Sequence, residues 1–233
     1  MRVVSLVPSL TEAIAVSAPG VLVGATDWCT HPAGLDLPRV GGTKNPSIEA
    51  VLALRPDLVV ANEEENREVD LQQLRDAAVE VDVTFVRTLP QGFSELRRVL
   101  GRLGAAPLWL DEAEAAWSSA YDGPRRTALV PIWRRPWMAV GSETFAGDVL
   151  RRLGIDNVLA SSPERYPRFS LQDLPAVDLV VLPDEPYSFA AADGPEAFAV
   201  PSALVSGRHL TWYGPSLADA RAVLTEQLAN LGS

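Results

Sequence analysis

Cysteine is nearly absent: Cys29 stands alone among 233 residues, so no intramolecular disulfide can form and the fold cannot depend on oxidation. Histidine is almost as scarce, with only His31 and His209. Four protein ligands for a closed zinc site would therefore have to come largely from carboxylates. Positive charge is in deficit, with 20 basic against 30 acidic residues and a formal charge of -10. That balance repels phosphate backbones and anionic lipid surfaces, so nucleic acid is excluded as a partner. No apolar run approaches the ~20 residues of a membrane span, and the chain is expected not to cross a membrane. The opening "RVVSLVP" has no apolar h-region or cleavage site, so the chain as given carries no export signal and would be cytoplasmic if complete. G-x-x-x-x-G-K-[ST], G-x-S-x-G and a G-x-G-x-x-G after the first strand are all missing, which removes the usual nucleotide and hydrolase signatures.

What is present is a 47% hydrophobic chain in which short β-rich runs alternate with helical patterns. The fold class is α/β: two Rossmann-like lobes with parallel sheets, joined by a single bridging helix, with a ligand cleft between the lobes. Strands are expected at 2–7, 21–27, 57–62, 81–86 and 127–133, and helices at 66–78, 94–103 and 216–231. Ser9 and Glu12 have capping-box spacing at the start of a first helix, and Ser47 opens another that Pro56 ends. The segment 170–185 echoes 47–64 with an offset of 121 between Asp57 and Asp178, and "LVP" recurs at 6–8 and 129–131 with an offset of 123. Two matches at nearly one offset suggest two related halves. The predicted domains are an N-terminal lobe over 1–105, a bridge over 106–124, helical from about Leu110 to Tyr121, and a C-terminal lobe over 125–233.

Ligands in open α/β sheets sit outside the carboxyl ends of the strands, and clefts between domains are common ligand sites. Trp28 follows a strand in "DWCTHP" (27–32), Trp133, Trp137 and Met138 follow the strand at 127–133, and Tyr166, Trp212 and Tyr213 lie in later loops. Aromatics in loops are not accounted for by helix packing, whereas Trp109 and Trp117 at the bridging helix are. Cys29 and His31 read as the wall of a pocket; a zinc site, a Cys-His nucleophile or an approach to a ligand's metal are the alternatives. The acidic run Glu63 to Glu65 reads as a solvated helix start, with a metal-holding cluster as its alternative.

The stretches "VVSLVPSLTE" (3–12), "LVGATDWCTHP" (22–32), "LPRVGGTKNPSIEAVLALRPDLVVAN" (37–62) and "RYPRFSLQDL" with "DLVVLPDEP" (165–186) resemble the cobalamin-binding members of the helical-backbone solute-binding proteins that serve ABC importers. The resemblance runs in order over nearly the whole chain. It implies reversible capture of a corrinoid for delivery to an importer permease, with no catalytic residue, no catalytic cofactor and no protein-bound metal, by a monomer of an extracytoplasmic family. Trp28 and Tyr166 match the family's aromatics on opposite lobes, Met138 or Trp137 a third contact, and Trp212 and Tyr213 a last binding loop; Cys29 and His31 complete the pocket lip. Glu49 and Gln172 match the two carboxylates that dock the transporter, Gln172 being a departure for which Asp173 is the substitute. Thr43 and Asn62 stand where the family has aromatics, and the bridging helix is shorter than the family's. Haem or a ferric siderophore is the alternative ligand, a cytoplasmic corrinoid carrier or sensor the alternative role, and a Cys- or metal-dependent enzyme a further class.

Overall fold

The computed structural model describes residues 1–231 and divides the chain into two compact units. The first comprises Met1–Val86, Pro90–Asp111 and Tyr213–Pro215. Its elements are β1 (Val3–Ser5), α1 (Pro8–Ser17), β2 (Leu22–Ala25), α2 (Ile48–Ala53), β3 (Leu58–Asn62), α3 (Glu68–Asp76), β4 (Glu80–Thr84) and nearly all of α4 (Leu89–Arg102), while α5 (Leu108–Ala116) passes from this unit into the second after Asp111. The strands form one parallel sheet in the order β2-β1-β3-β4. Val4, Val59 and Ala61 from this sheet, with Leu6 just beyond β1, pack with Val51, Leu71 and Leu74 in a buried core. Burial on both sides explains why "LVVAN" is a continuous apolar run and not an alternating one.

The second unit holds Arg87–Leu89, Glu112–Trp212 and residues from Ser216 onward. It contains β5 (Arg126–Leu129), β6 (Pro131–Arg134), β7 (Trp137–Ala139), α6 (Phe145–Arg152), β8 (Ile155–Asn157), β9 (Leu179–Pro183), β10 (Ser202–Val205), α7 (Gly207–Thr211) and α8 (Leu217–Ala229). Its parallel sheet has the order β10-β9-β5-β8. Counted by first appearance in each unit, both sheets are 2-1-3-4. The repeat extends to single atoms. The carboxylate of Asp57 accepts the Arg2 amide at 2.7 Å, and that of Asp178 accepts the Thr127 amide at 2.6 Å, each tying the third strand of its sheet to the first.

The sequence expectations need four corrections. The "LVP" match is out of register: the paired aspartates equate Arg2 with Thr127, an offset of 125, so Pro8 enters a helix while Pro131 opens a strand. The capping box is not used. Val7 is the N-cap of α1 with no side-chain bond, Pro8 fills the first turn, and Ser9 and Glu12 are buried inside the helix. A proline there has no N–H to satisfy and brings a helical φ, so no Ser cap is required. The strand expected over 127–133 breaks at Val130; its second half pairs antiparallel with β7 as a separate hairpin. Finally, the bridging segment is helical only over Leu108–Ala116, nine residues or about 14 Å. Trp117 turns inward, its indole donating to the Leu217 carbonyl at 2.9 Å, and Ser118 bonds back to the Ala115 carbonyl, a competing bond that ends the helix.

Ser47 does cap α2, accepting the Ala50 amide at 3.2 Å. In the second unit the equivalent Ser170 accepts the Gln172 amide, but only a 3₁₀ turn, Leu171–Asp173, follows before Pro175 forbids further helix. Among the described residues no helix is long and apolar enough to cross a membrane.

Candidate functional site

At the carboxyl end of β2 the chain turns through Asp27 and Trp28. Trp28 is 67% exposed, an unusual state for an indole. Gly42 faces the ring, and a Cβ there would stand at ordinary contact distance, 3.8 Å, from its Nε1. Cys29, the next residue, is fully buried. Its sulfur lies 3.0 Å from the Thr11 hydroxyl and 3.1 Å from that of Thr26, while Arg39 donates to its carbonyl at 2.8 Å. Cys29 is therefore a clasp of the turn beneath Trp28. The thiol should stay silent to Ellman's reagent in the folded protein and react with one equivalent after denaturation; reaction at native rates with an exposed-thiol standard would refute that burial. His31 is half-buried, with Nδ1 3.1 Å from the Thr30 hydroxyl.

The carboxyl ends of β3 and β4 carry a polar network. Asn62 donates to the Thr84 carbonyl and hydroxyl and accepts the amides of Glu64 and Glu65. Asn66 donates to the carbonyls of Leu6 and Thr43. Asn62 and Thr43 are both buried, so these positions shape loops and offer no face to a ligand. The acidic run is the turn held by Asn62, with Lys44 bonded to the Glu64 carbonyl. Burial pushes the Glu65 carboxyl upward, partly opposed by Lys44 and reinforced by Glu64. Among the described residues no group of three or more His, Cys, Asp or Glu side chains is placed to hold a metal ion. Tyr213 belongs to this network too. It is buried, its hydroxyl is 3.0 Å from that of Thr84, and burial pushes its phenol well above the usual range. β4 ends at Thr84, two residues earlier than the sequence pattern implied, which leaves Phe85 56% exposed beyond the strand.

In the second unit Trp137 is the centre of an aromatic cluster, 5.7 Å from Phe169, 6.2 Å and nearly parallel to Phe189, and 5.4 Å edge-on to Phe198, with Arg134 over its ring at 5.4 Å. Such geometry is core packing with cation-π support. Met138, half-buried, bridges to Arg168. Trp212 is buried, its indole donating to Glu185 at 3.3 Å and Arg208 stacked over it. Trp212 and Tyr213 are thus buried, whereas Trp137 is half-buried at the edge of its cluster. Tyr166 and Trp133 remain exposed, Trp133 edge-on to Tyr187 at 5.7 Å.

The segment carrying Tyr166 is laid against a glycine. Gly141 donates to the Arg165 carbonyl at 2.7 Å, and Ala139 to the Pro167 carbonyl at 3.0 Å. Beside it opens a cavity of about 310 Å³, lined among others by Arg87, Thr88, Ser142, Glu143, Thr144 and Asn157. Thr144 caps α6 by accepting the Gly147 amide at 3.3 Å. Glu143 holds a left-handed φ of 49°, a conformation costing a side-chain-bearing residue about 1 kcal/mol, which persists only where its surroundings fix it. Two arginines do so: Arg87 meets its carboxylate at 3.1 Å and Arg165 donates to its carbonyl at 3.1 Å. None of Phe85, Arg87 and Glu143 is marked in the sequence; a strand end and a left-handed Glu become visible only in the fold. Glu49 is exposed in the first turn of α2, and Gln172 and Asp173 are exposed in the matching 3₁₀ turn, so the expected docking positions occupy equivalent places in the two units.

Comparison with known proteins adds an independent line. The vitamin B12-binding protein of Pectobacterium carotovorum subsp. carotovorum is 24% identical over 247 residues, covering 99% of this chain and 89% of its own. Among solved structures, a periplasmic heme-binding protein in complex with two hemes has a TM-score of 0.80 at 25% identity, covering 98% of this chain and 97% of the other. A periplasmic vitamin B12 binding protein of Vibrio cholerae has a TM-score of 0.74 at 19% identity, with 98% and 96% covered, and supports the fold alone. The family described as periplasmic binding protein matches residues 3–176, which is most of the sequence, and the chain belongs to that family.

Proposed function

We infer that the chain is a solute-binding protein that captures a corrinoid reversibly and hands it to an ABC importer. The observation that carries this reading is Trp28, a large aromatic face held out at a strand's carboxyl end by a buried clasp. Phe85 in the same unit and Tyr166 in the other are exposed at comparable places. A corrin is a broad, mainly apolar disc with amide arms, so aromatic faces supply its binding energy and a few polar groups its orientation. The names of the B12-binding relatives favour this ligand over others. Exposed Glu49 and the Gln172–Asp173 pair are the proposed contacts to the permease.

Cyanocobalamin should quench tryptophan fluorescence with saturable one-to-one stoichiometry. Trp28→Ala should weaken that binding about fivefold, a loss of about 1 kcal/mol of aromatic contact. Tyr166→Ala should weaken the same one-to-one titration by a similar factor. A flat titration at high micromolar cobalamin would reject the corrinoid reading. Haem is the second reading, favoured by the heme-bound neighbour at 25% identity; saturation by haemin in a protein that ignores cobalamin would establish it instead.

A further inference from the structure

The geometry points to the Arg87–Glu143 ion pair as the determinant that selects a ligand by its peripheral charge, favouring amide-armed over carboxylate-armed macrocycles. The inference rests on the reading that a corrinoid is bound, and it adds which chemical form is taken. Both residues line the 310 Å³ cavity, and their charged atoms meet at 3.1 Å. That volume is too small for a macrocycle and suits one of its arms. Both side chains keep substantial exposure, 40% for Arg87 and 67% for Glu143, so an arm entering the cavity can reach them.

The pair presents a donor and an acceptor side by side with no net charge. A primary amide arm, which both donates and accepts, can bond to each partner without disturbing the other. A carboxylate arm accepts only. It can bond Arg87, but Glu143 offers it no donor and the charge of Glu143 stands against it. Glu143 is not free to swing away with its backbone, because its left-handed φ, the Arg165 bond to its carbonyl and the Thr144 cap immediately after it fix the residue. The formal charge of -10 on the chain works in the same direction.

The test compares two corrinoids with the same ring: dicyanocobinamide, with amide arms, and dicyanocobyrinic acid, with free carboxylates. Their affinities are measured for the wild-type protein and for Glu143→Gln and Arg87→Gln. The wild type should favour the amide form. Glu143→Gln should narrow the preference about fivefold, the scale of one partly exposed charge contact, through tighter binding of the carboxylate form. Arg87→Gln should widen it, since Glu143 loses its counter-charge. Both changes should shrink in 1 M salt. A ratio that stays within twofold of wild type in both variants overturns the inference while leaving corrinoid binding standing. If the wild type binds neither corrinoid, the underlying reading falls and takes this inference with it.

Discussion

Replacing Gly141 by alanine should lower ligand affinity about fivefold, the scale of one aromatic contact, while costing about 1–3 kcal/mol of stability. A Cβ at this position would overlap the Glu164 carbonyl oxygen, stand 2.7 Å from Cδ of Pro167 and 3.0 Å from the Arg165 carbonyl oxygen. Two of these three neighbours are backbone atoms, so no rotamer change can relieve the clash. The only relief is to push the 164–167 segment outward, which breaks the Gly141 to Arg165 hydrogen bond and displaces Tyr166, the exposed aromatic proposed to meet the ligand. Gly42→Ala is the matched control, since a Cβ there finds its nearest neighbour at 3.8 Å, ordinary contact distance. Cobalamin titrations of the two variants, with circular dichroism to follow folding, separate the outcomes. Equal affinity in Gly141→Ala and wild type would show that the position of Tyr166 does not matter.

The contrast between Trp28 and Trp212 explains how much of the site was legible in advance. Both tryptophans lie in loops outside regular helical spacing, and the same reasoning assigned both to a ligand. Trp28 is exposed, whereas Trp212 finds Glu185 and Arg208 and is buried, as Tyr213 is by Thr84, 129 residues away in sequence. Partners so remote leave no local trace. The internal repeat was legible because it is written in local chemistry: Asp57 and Asp178 precede apolar strands and each bonds to the neighbouring strand, and Ser47 and Ser170 cap matching turns. "LVP" misled because a proline at the start of a helix and one at the start of a hairpin strand look alike in sequence. Phe85 was hidden inside the run expected as a strand over 81–86, and only the actual end of β4 at Thr84 puts it outside the sheet.

Acid should unfold the protein through one carboxylate in each unit. Asp82 has a side chain only 5% exposed; burial would raise its pKa, but the fork of Arg98, at 2.6 and 2.8 Å, and Arg102 at 3.2 Å outweigh burial and hold it below the usual carboxylate range. Asp148 follows the same pattern: burial raises it, while Arg152, Arg151 and the Leu89 amide lower it by more. A carboxylate with a depressed folded-state pKa stabilises fully above its unfolded value of about 3.9, and that contribution disappears as pH falls through the folded value, because the unfolded chain takes up the proton first. Stability should therefore be flat near neutrality and fall steeply below about pH 4. Asp82→Asn should cost about 2 kcal/mol at pH 7, the scale of charged hydrogen bonds lost, and lower the thermal midpoint by about 4–8 °C. At pH 3, below the unfolded value, the gap between the variant and the wild type should be smaller than at pH 7, since protons taken up by the unfolded chain begin to remove from the wild type what the substitution removes from the variant. Thermal unfolding at the two pH values measures the difference, and an equal gap at both would mean that Asp82 stabilises by packing and not by its charge.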